Sequence, residues 1–85
     1  MRFEDIKAKI KQIIYETTNI DPSDIGDDAS FRKDLDLDSL TLLEIGVNVD
    51  QEFDLDMPDE EMDRFTSVTA TARIVEEVLA VKVAH

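Results

Sequence analysis

Few residue types in this chain could do covalent or acid–base chemistry, and their placement excludes most of it. There is no cysteine, so no thiol nucleophile, disulfide or cysteine-ligated metal is available. The single histidine is His85, the last residue of the sequence, where no supporting shell is expected to hold it as a general base. Asp and Glu number 21 in 85 residues, a density at which neighbouring carboxylates arise from composition alone. The two glycines, Gly26 and Gly46, stand far apart, so no phosphate-cradling glycine loop exists. One run remains: Asp34-Leu35-Asp36-Leu37-Asp38-Ser39-Leu40. Its alternating aspartates suggest the first half of a calcium loop. Started at Asp34, however, such a loop puts Ser39 where Gly is required and Ile45 where a bidentate Glu is required, with Glu44 one residue short. A loop started at Asp54 meets Pro58 at a ligand position. No metal site and no catalytic residue are expected. What is left is a serine, Ser39, directly after Asp38, whose carboxylate is a good helix N-cap.

Helices must position that serine. Phe3, Ile6, Ile10, Ile13, Ile14 and Thr17 recur at helical spacing and predict a first helix. Asn19 to Asp28 reads as loop through Asp21-Pro22-Ser23 and Gly26-Asp27-Asp28, with Ile20 and Ile25 pinning it to the core. The loop continues through Phe31, Leu35 and Leu37, which also need burial. A second helix is predicted from Asp38-Ser39 to about Phe53, with two apolar stripes. Leu42, Ile45, Gly46, Val49 and Phe53 form the one expected to face the core. Leu40, Leu43 and Val47 fall on another face, flanked by Glu44, Asp50 and Gln51, and meet solvent, a partner or a covering loop. Gly46 in mid-helix costs roughly 1 kcal/mol relative to Ala. It serves either close helix packing or room for something besides side chains. Pro58, followed by Asp59, Glu60 and Glu61, predicts a short third helix, with Met57, Met62 and Phe65 as its apolar contacts. Thr66 or Ser67 caps a last helix carrying Val68, Ala72, Val75, Val78, Leu79 and Lys82-Val83. Nothing alternates at period two, so no strands are expected. The predicted fold is all-α: one domain over residues 1–85, a four-helix bundle of three main helices plus a short third, with a long loop between the first two.

Charge narrows the partners. Nine Lys and Arg against 21 Asp and Glu give 9 − 21 = −12, which repels phosphate backbones and anionic lipid and favours basic proteins. Neither nucleic acid nor membrane insertion is expected. Met1-Arg2-Phe3-Glu4-Asp5 shows no apolar signal core, and a cytoplasmic monomer is the default expectation.

The segment Asp34 to Leu40 resembles the attachment motif of acyl carrier proteins. The resemblance extends to Ala29-Ser30-Phe31 before it, to Glu44 and Glu52-Phe53 after it, to Met57-Pro58-Asp59-Glu60-Glu61 and to Thr66-Ser67-Val68. It covers nearly the whole chain. It implies a four-helix bundle in which Ser39 receives 4′-phosphopantetheine from coenzyme A through a separate phosphopantetheinyl transferase. Acyl groups then ride on that arm as thioesters, and the domain is not itself an enzyme. The second helix would be the recognition helix. Asp38, Leu40, Leu43, Glu44, Val47 and Asp50 would meet the basic docking patches of acyl synthase and transferase enzymes. Phe31, Leu42, Ile45, Gly46, Val49 and Phe53 would line an acyl pocket. A phosphodiester on Ser39 would also meet the free N–H groups of a helix N-terminus. Two positions depart from the family. Asp36 stands where Gly is usual, and Asp tolerates left-handed backbone better than most residues. Thr41 stands where fatty-acid carriers commonly have an acid, which leaves fatty-acid and polyketide pathways both open. A peptidyl or aminoacyl carrier of the same fold and a non-carrier acidic, calcium-binding-like module are the rival readings. Leu37-Asp38 is not the Gly-Gly usual ahead of the serine in peptidyl carriers.

Overall fold

Isoleucine spacing builds the first helix and, through it, the core. In the computed structural model, which describes residues 2–84 and only the backbone at 59, 60, 62 and 82–84, α1 spans Phe3–Thr18 and buries Ile6, Ile10, Ile13 and Ile14. Glu4 and Asp5 sit in its first turn, at the positive end of the helix dipole. Asn19 ends it in left-handed backbone, φ 67°, and donates its N–H to the Tyr15 carbonyl. Helix α2 spans Ser39–Phe53 and buries Ile45, Gly46, Val49 and Phe53. Helix α3 spans Val68–Ala84 and buries Val68, Ala72, Ile74 and Val75. Helix α1 packs against both α2 and α3, so its isoleucines are the centre of the apolar cluster. The described residues contain no strand, and none of their helices is long and apolar enough to cross a membrane.

Two elements add detail to the expectation. The short third helix is of the 3₁₀ type and spans Asp59–Arg64. With 6 residues lying between buried Leu55 and buried Phe65, it has little length for an α-type ladder, and the tighter i→i+3 turn suits short pieces. The Pro58 carbonyl opens it by accepting the Glu61 N–H at 3.0 Å. A second 3₁₀ turn, Pro22–Asp24, lies inside the segment expected to be loop, and the Asp21 carboxylate caps it by accepting the Ser23 N–H at 2.9 Å. Ser67, not Thr66, caps α3: its Oγ accepts the Ala70 N–H at 3.1 Å. The side-chain contacts expected of Met62, Lys82 and Val83, and residue His85 altogether, lie outside what is described.

The segment between α1 and α2 is stitched to both α1 and the start of α3. Ile25 and Phe31 are buried. Phe31 donates its N–H to the Thr66 carbonyl at 2.9 Å, and the Asp27 carbonyl accepts the Thr69 N–H at 2.9 Å. The Asp27 carboxylate meets Lys11 Nζ at 2.6 Å and Lys7 Nζ at 2.9 Å. Those two ammonium groups, Lys11 first, hold the Asp27 carboxyl below its ordinary range. Asp27 and then Glu4 raise Lys7 above its own.

A depressed carboxyl contributes stability that is present above the ordinary Asp range and is lost as pH falls through the lowered value; a raised lysine contributes below the ordinary Lys range. Both contributions are therefore present near neutrality. Asp27→Asn should melt below wild type at neutral pH, and the gap should narrow below roughly pH 5 as the wild-type carboxyl protonates. Thermal melts between pH 7 and pH 3 check this; a gap independent of pH would mean that the pairing is not what holds the loop.

Candidate functional site

The three aspartates ahead of Ser39 do three different structural jobs. Asp34 Oδ2 accepts the Ser30 N–H at 2.7 Å. The Ser30 carbonyl accepts the N–H groups of Asp34 at 2.9 Å and Leu35 at 3.2 Å, and Ser30 Oγ accepts the Lys33 N–H at 3.2 Å. Asp36 turns the chain with left-handed backbone, φ 55°. This is the conformation that the Gly usual in the family would adopt freely. Leu37 then donates its N–H to the Phe31 carbonyl at 2.9 Å, which closes the loop on itself. Asp38 caps α2: its Oδ1 accepts the Thr41 N–H at 2.8 Å. That backbone bond first, and the Thr41 side chain second, hold its carboxyl below the usual range. Carboxylates committed to backbone N–H groups are not converged on a cation. Among the described residues no cluster of three or more His, Asp or Glu could hold a metal.

Ser39 is thereby fixed as the first residue of α2, with its side chain exposed. Its Oγ accepts a hydrogen bond from Arg32 Nη2 at 3.2 Å. Beside it lies a cavity of about 310 Å³. Phe31, Leu42, Leu43 and Phe65 give it apolar wall, and Ser30, Arg32, Ser39, Asp63 and Thr66 give it polar wall.

Of the six residues expected to line a pocket, Phe31 and Leu42 do so. Ile45, Gly46, Val49 and Phe53 are buried further along α2 and are absent from the cavity wall. From Ile45 onward the inner stripe is packed into the cluster that includes the α1 isoleucines, and the cavity lies beside the first turns of α2. Of the six expected to meet partners, Leu40 is 67% and Leu43 43% exposed. Glu44 is exposed and makes no ion pair among the described residues. Asp38 is exposed but occupied as the cap. Val47 and Asp50 are less open than the other four. Val47 is half-buried against the core. Asp50 is half-buried, with its Oδ1 accepting the Met57 N–H at 3.2 Å and its carbonyl the Leu55 N–H at 3.1 Å; it shapes the turn after α2. Sequence reasoning missed Arg32, Asp63 and Thr66, and it assigned Phe65 only to the third element. All four come from non-α segments, where no periodicity marks a shared wall.

These residues suit a tethered, phosphate-linked group. A hydroxyl is exposed to bear it, a guanidinium lies within reach of that hydroxyl, and a partly apolar cavity adjoins both. An all-helical domain that presents a serine in this way has the geometry a covalently tethered group would need. Comparison with known proteins agrees. The family described as phosphopantetheine attachment site matches residues 8–81. The chain is 36% identical over 74 residues to an acyl carrier protein of Rubrobacter xylanophilus, covering 87% of this chain and 91% of that one. It is 38% identical over 72 residues to an acyl carrier protein of Bdellovibrio bacteriovorus, covering 85% and 92%. It is also 44% identical over 59 residues to a meromycolate extension acyl carrier protein of Mycobacterium tuberculosis, covering 69% of this chain and 51% of the relative. The chain belongs to the acyl carrier protein family. Its prosthetic group is 4′-phosphopantetheine, covalently held, and its role is to carry acyl groups.

Asp36 sets the turn that delivers Ser39. A β-branched side chain in left-handed backbone is strained by about 1–2 kcal/mol, so Asp36→Val should lower the unfolding free energy by that amount, whereas Asp36→Gly should stay within about 1 kcal/mol of wild type. Urea titrations of the three proteins measure this; equal midpoints for Val and Asp would show that the turn does not depend on residue 36.

Proposed function

We propose that Ser39 is the phosphopantetheine attachment residue of a single carrier domain spanning residues 1–85. The observation that carries this is the Ser39 hydroxyl itself: exposed, at the first position of α2, and on the wall of the cavity. Ser39 Oγ would take the phosphopantetheinyl group from coenzyme A, and the nucleotide half would leave. The serine proton would go to a base on the transferase, since the described residues within hydrogen-bonding reach offer Ser39 only the Arg32 donor. When attached, the group supplies a terminal thiol that holds the acyl chain as a thioester. Phe31, Leu42, Leu43 and Phe65 offer that chain apolar shelter beside its attachment point. The domain itself catalyses nothing in this reading. It delivers its cargo to synthase and transferase enzymes with basic docking patches, as a cytoplasmic monomer.

The cargo pathway we favour is fatty-acid synthesis. Its support is the agreement with plain acyl carrier proteins over nearly their full length. Elongation of very long acyl chains is a second reading, favoured by the mycobacterial relatives named for meromycolate extension, of which this chain spans 51%. Leu40, Leu43 and Glu44 form the exposed face offered to partners.

Incubation with coenzyme A and a broad-specificity phosphopantetheinyl transferase should add one phosphopantetheinyl mass to the wild type and none to Ser39→Ala, read by intact mass spectrometry. Addition to the Ala variant would move the site elsewhere. Glu44→Lys should lower kcat/KM for that loading roughly two- to fivefold at low salt, with the deficit closing as ionic strength rises. Unchanged loading at low salt would leave recognition to Leu40 and Leu43.

A further inference from the structure

We propose that Arg32 holds the phosphodiester of the loaded arm and turns the arm along the cavity rather than into solvent. The inference rests on Ser39 as the attachment residue. Arg32 Nη2 already stands 3.2 Å from Ser39 Oγ, the atom that becomes the bridging ester oxygen. The non-bridging phosphate oxygens then lie within the sweep of the same guanidinium. Its planar fork of N–H donors matches two phosphate oxygens at once, which a lysine ammonium does not.

The backbone that carries Arg32 is fixed on both sides. Phe31 is fully buried and bonded to Thr66, and Lys33 donates its N–H to Ser30 Oγ. The guanidinium makes no ion pair among the described residues. The neighbouring Asp34 and Asp38 carboxylates are committed to backbone N–H groups. Arg32 also forms part of the cavity wall together with Ser39 and Leu42, so a phosphate held by it lies at the opening of the apolar space. In a chain of net charge −12, a further anion placed beside Asp36 and Asp38 is repelled, and Arg32 offsets that repulsion where it is strongest. Lys33 is also exposed and next in sequence but is not among the residues lining the cavity, which makes it the matched control.

The test uses full-length wild type, Arg32→Gln and Lys33→Gln, each apo and loaded, with loading verified by intact mass. At low salt, the melting temperature gained on loading should be about 2–4 °C smaller for Arg32→Gln than for wild type. The difference should vanish near 1 M salt. The ³¹P resonance of the loaded Arg32→Gln protein should be displaced from wild type, while that of Lys33→Gln coincides with it. Equal gains and equal resonances in a loaded Arg32→Gln protein overturn the inference alone. So does an equal loss in Lys33→Gln, which would make the effect one of net charge. Loading of wild type but not of Arg32→Gln also overturns it and assigns Arg32 to the transferase contact. No added mass on wild type removes the Ser39 reading and this inference together.

Discussion

Phe31 is fully buried, and its backbone is committed in two directions. Its N–H reaches forward to the Thr66 carbonyl before α3, and its carbonyl accepts the Leu37 N–H just before α2 begins. Burial of a Phe side chain stabilises by about 1.5–3 kcal/mol. The two backbone bonds convert that burial into position, because a ring that cannot leave the core fixes the carbonyl from which the approach to α2 hangs. The loop, the helix start and one wall of the cavity therefore share a single anchor. A long connection in a domain this small would otherwise cost backbone entropy without return. Here it is ordered by a few apolar plugs, Ile25 and Phe31 buried and Leu35 and Leu37 half-buried.

Electrostatics follows the same economy of parts. Lys7, Lys9 and Lys11, all on α1, pair with Glu4, Asp27 and Glu52, so the cations of that helix tie it to the loop at Asp27 and reach α2 at Glu52. Arg64 pairs with Glu61. Exposed Leu40 and Leu43 share the first turns of α2 with Glu44, which makes no ion pair among the described residues, so exposed apolar surface there is bordered by charge.

The three α-helices and the position of Ser39 were legible because each rests on a local signal: isoleucine spacing in α1, the Asp38 cap before α2, the Ser67 cap and the valine pattern of α3. The third element was placed correctly but not typed, because a piece of that length carries no period by which 3₁₀ and α can be told apart. The inner stripe of α2 was read correctly as apolar and inward, yet its inward direction does not say whether side chains or a cavity meet it. Ile45, Val49 and Phe53 meet the core, and only Leu42 meets open space. Asp50 shows the converse limit. Its charge suggested a partner, while its bonds to the turn after α2 depend on a left-handed reversal at Asp54 that no periodicity announces. Arg32 was invisible for a simpler reason. Its relation to Ser39 spans a loop whose path is set by tertiary hydrogen bonds.

Asn19, Asp36, Asp54 and Asp56 all adopt positive φ, and among the described residues no glycine does. A turn made with Asp instead of Gly carries some strain when folded, but its unfolded chain explores fewer conformations, so less freedom is lost on ordering. Three of these four residues also carry charge. Turn geometry and surface acidity are therefore written in the same side chains. Asn or Gly at any of the three Asp positions would keep the backbone path while stepping the net charge of −12 toward zero. In this chain the charge offered to partners can therefore change at those turns with little change in the backbone path.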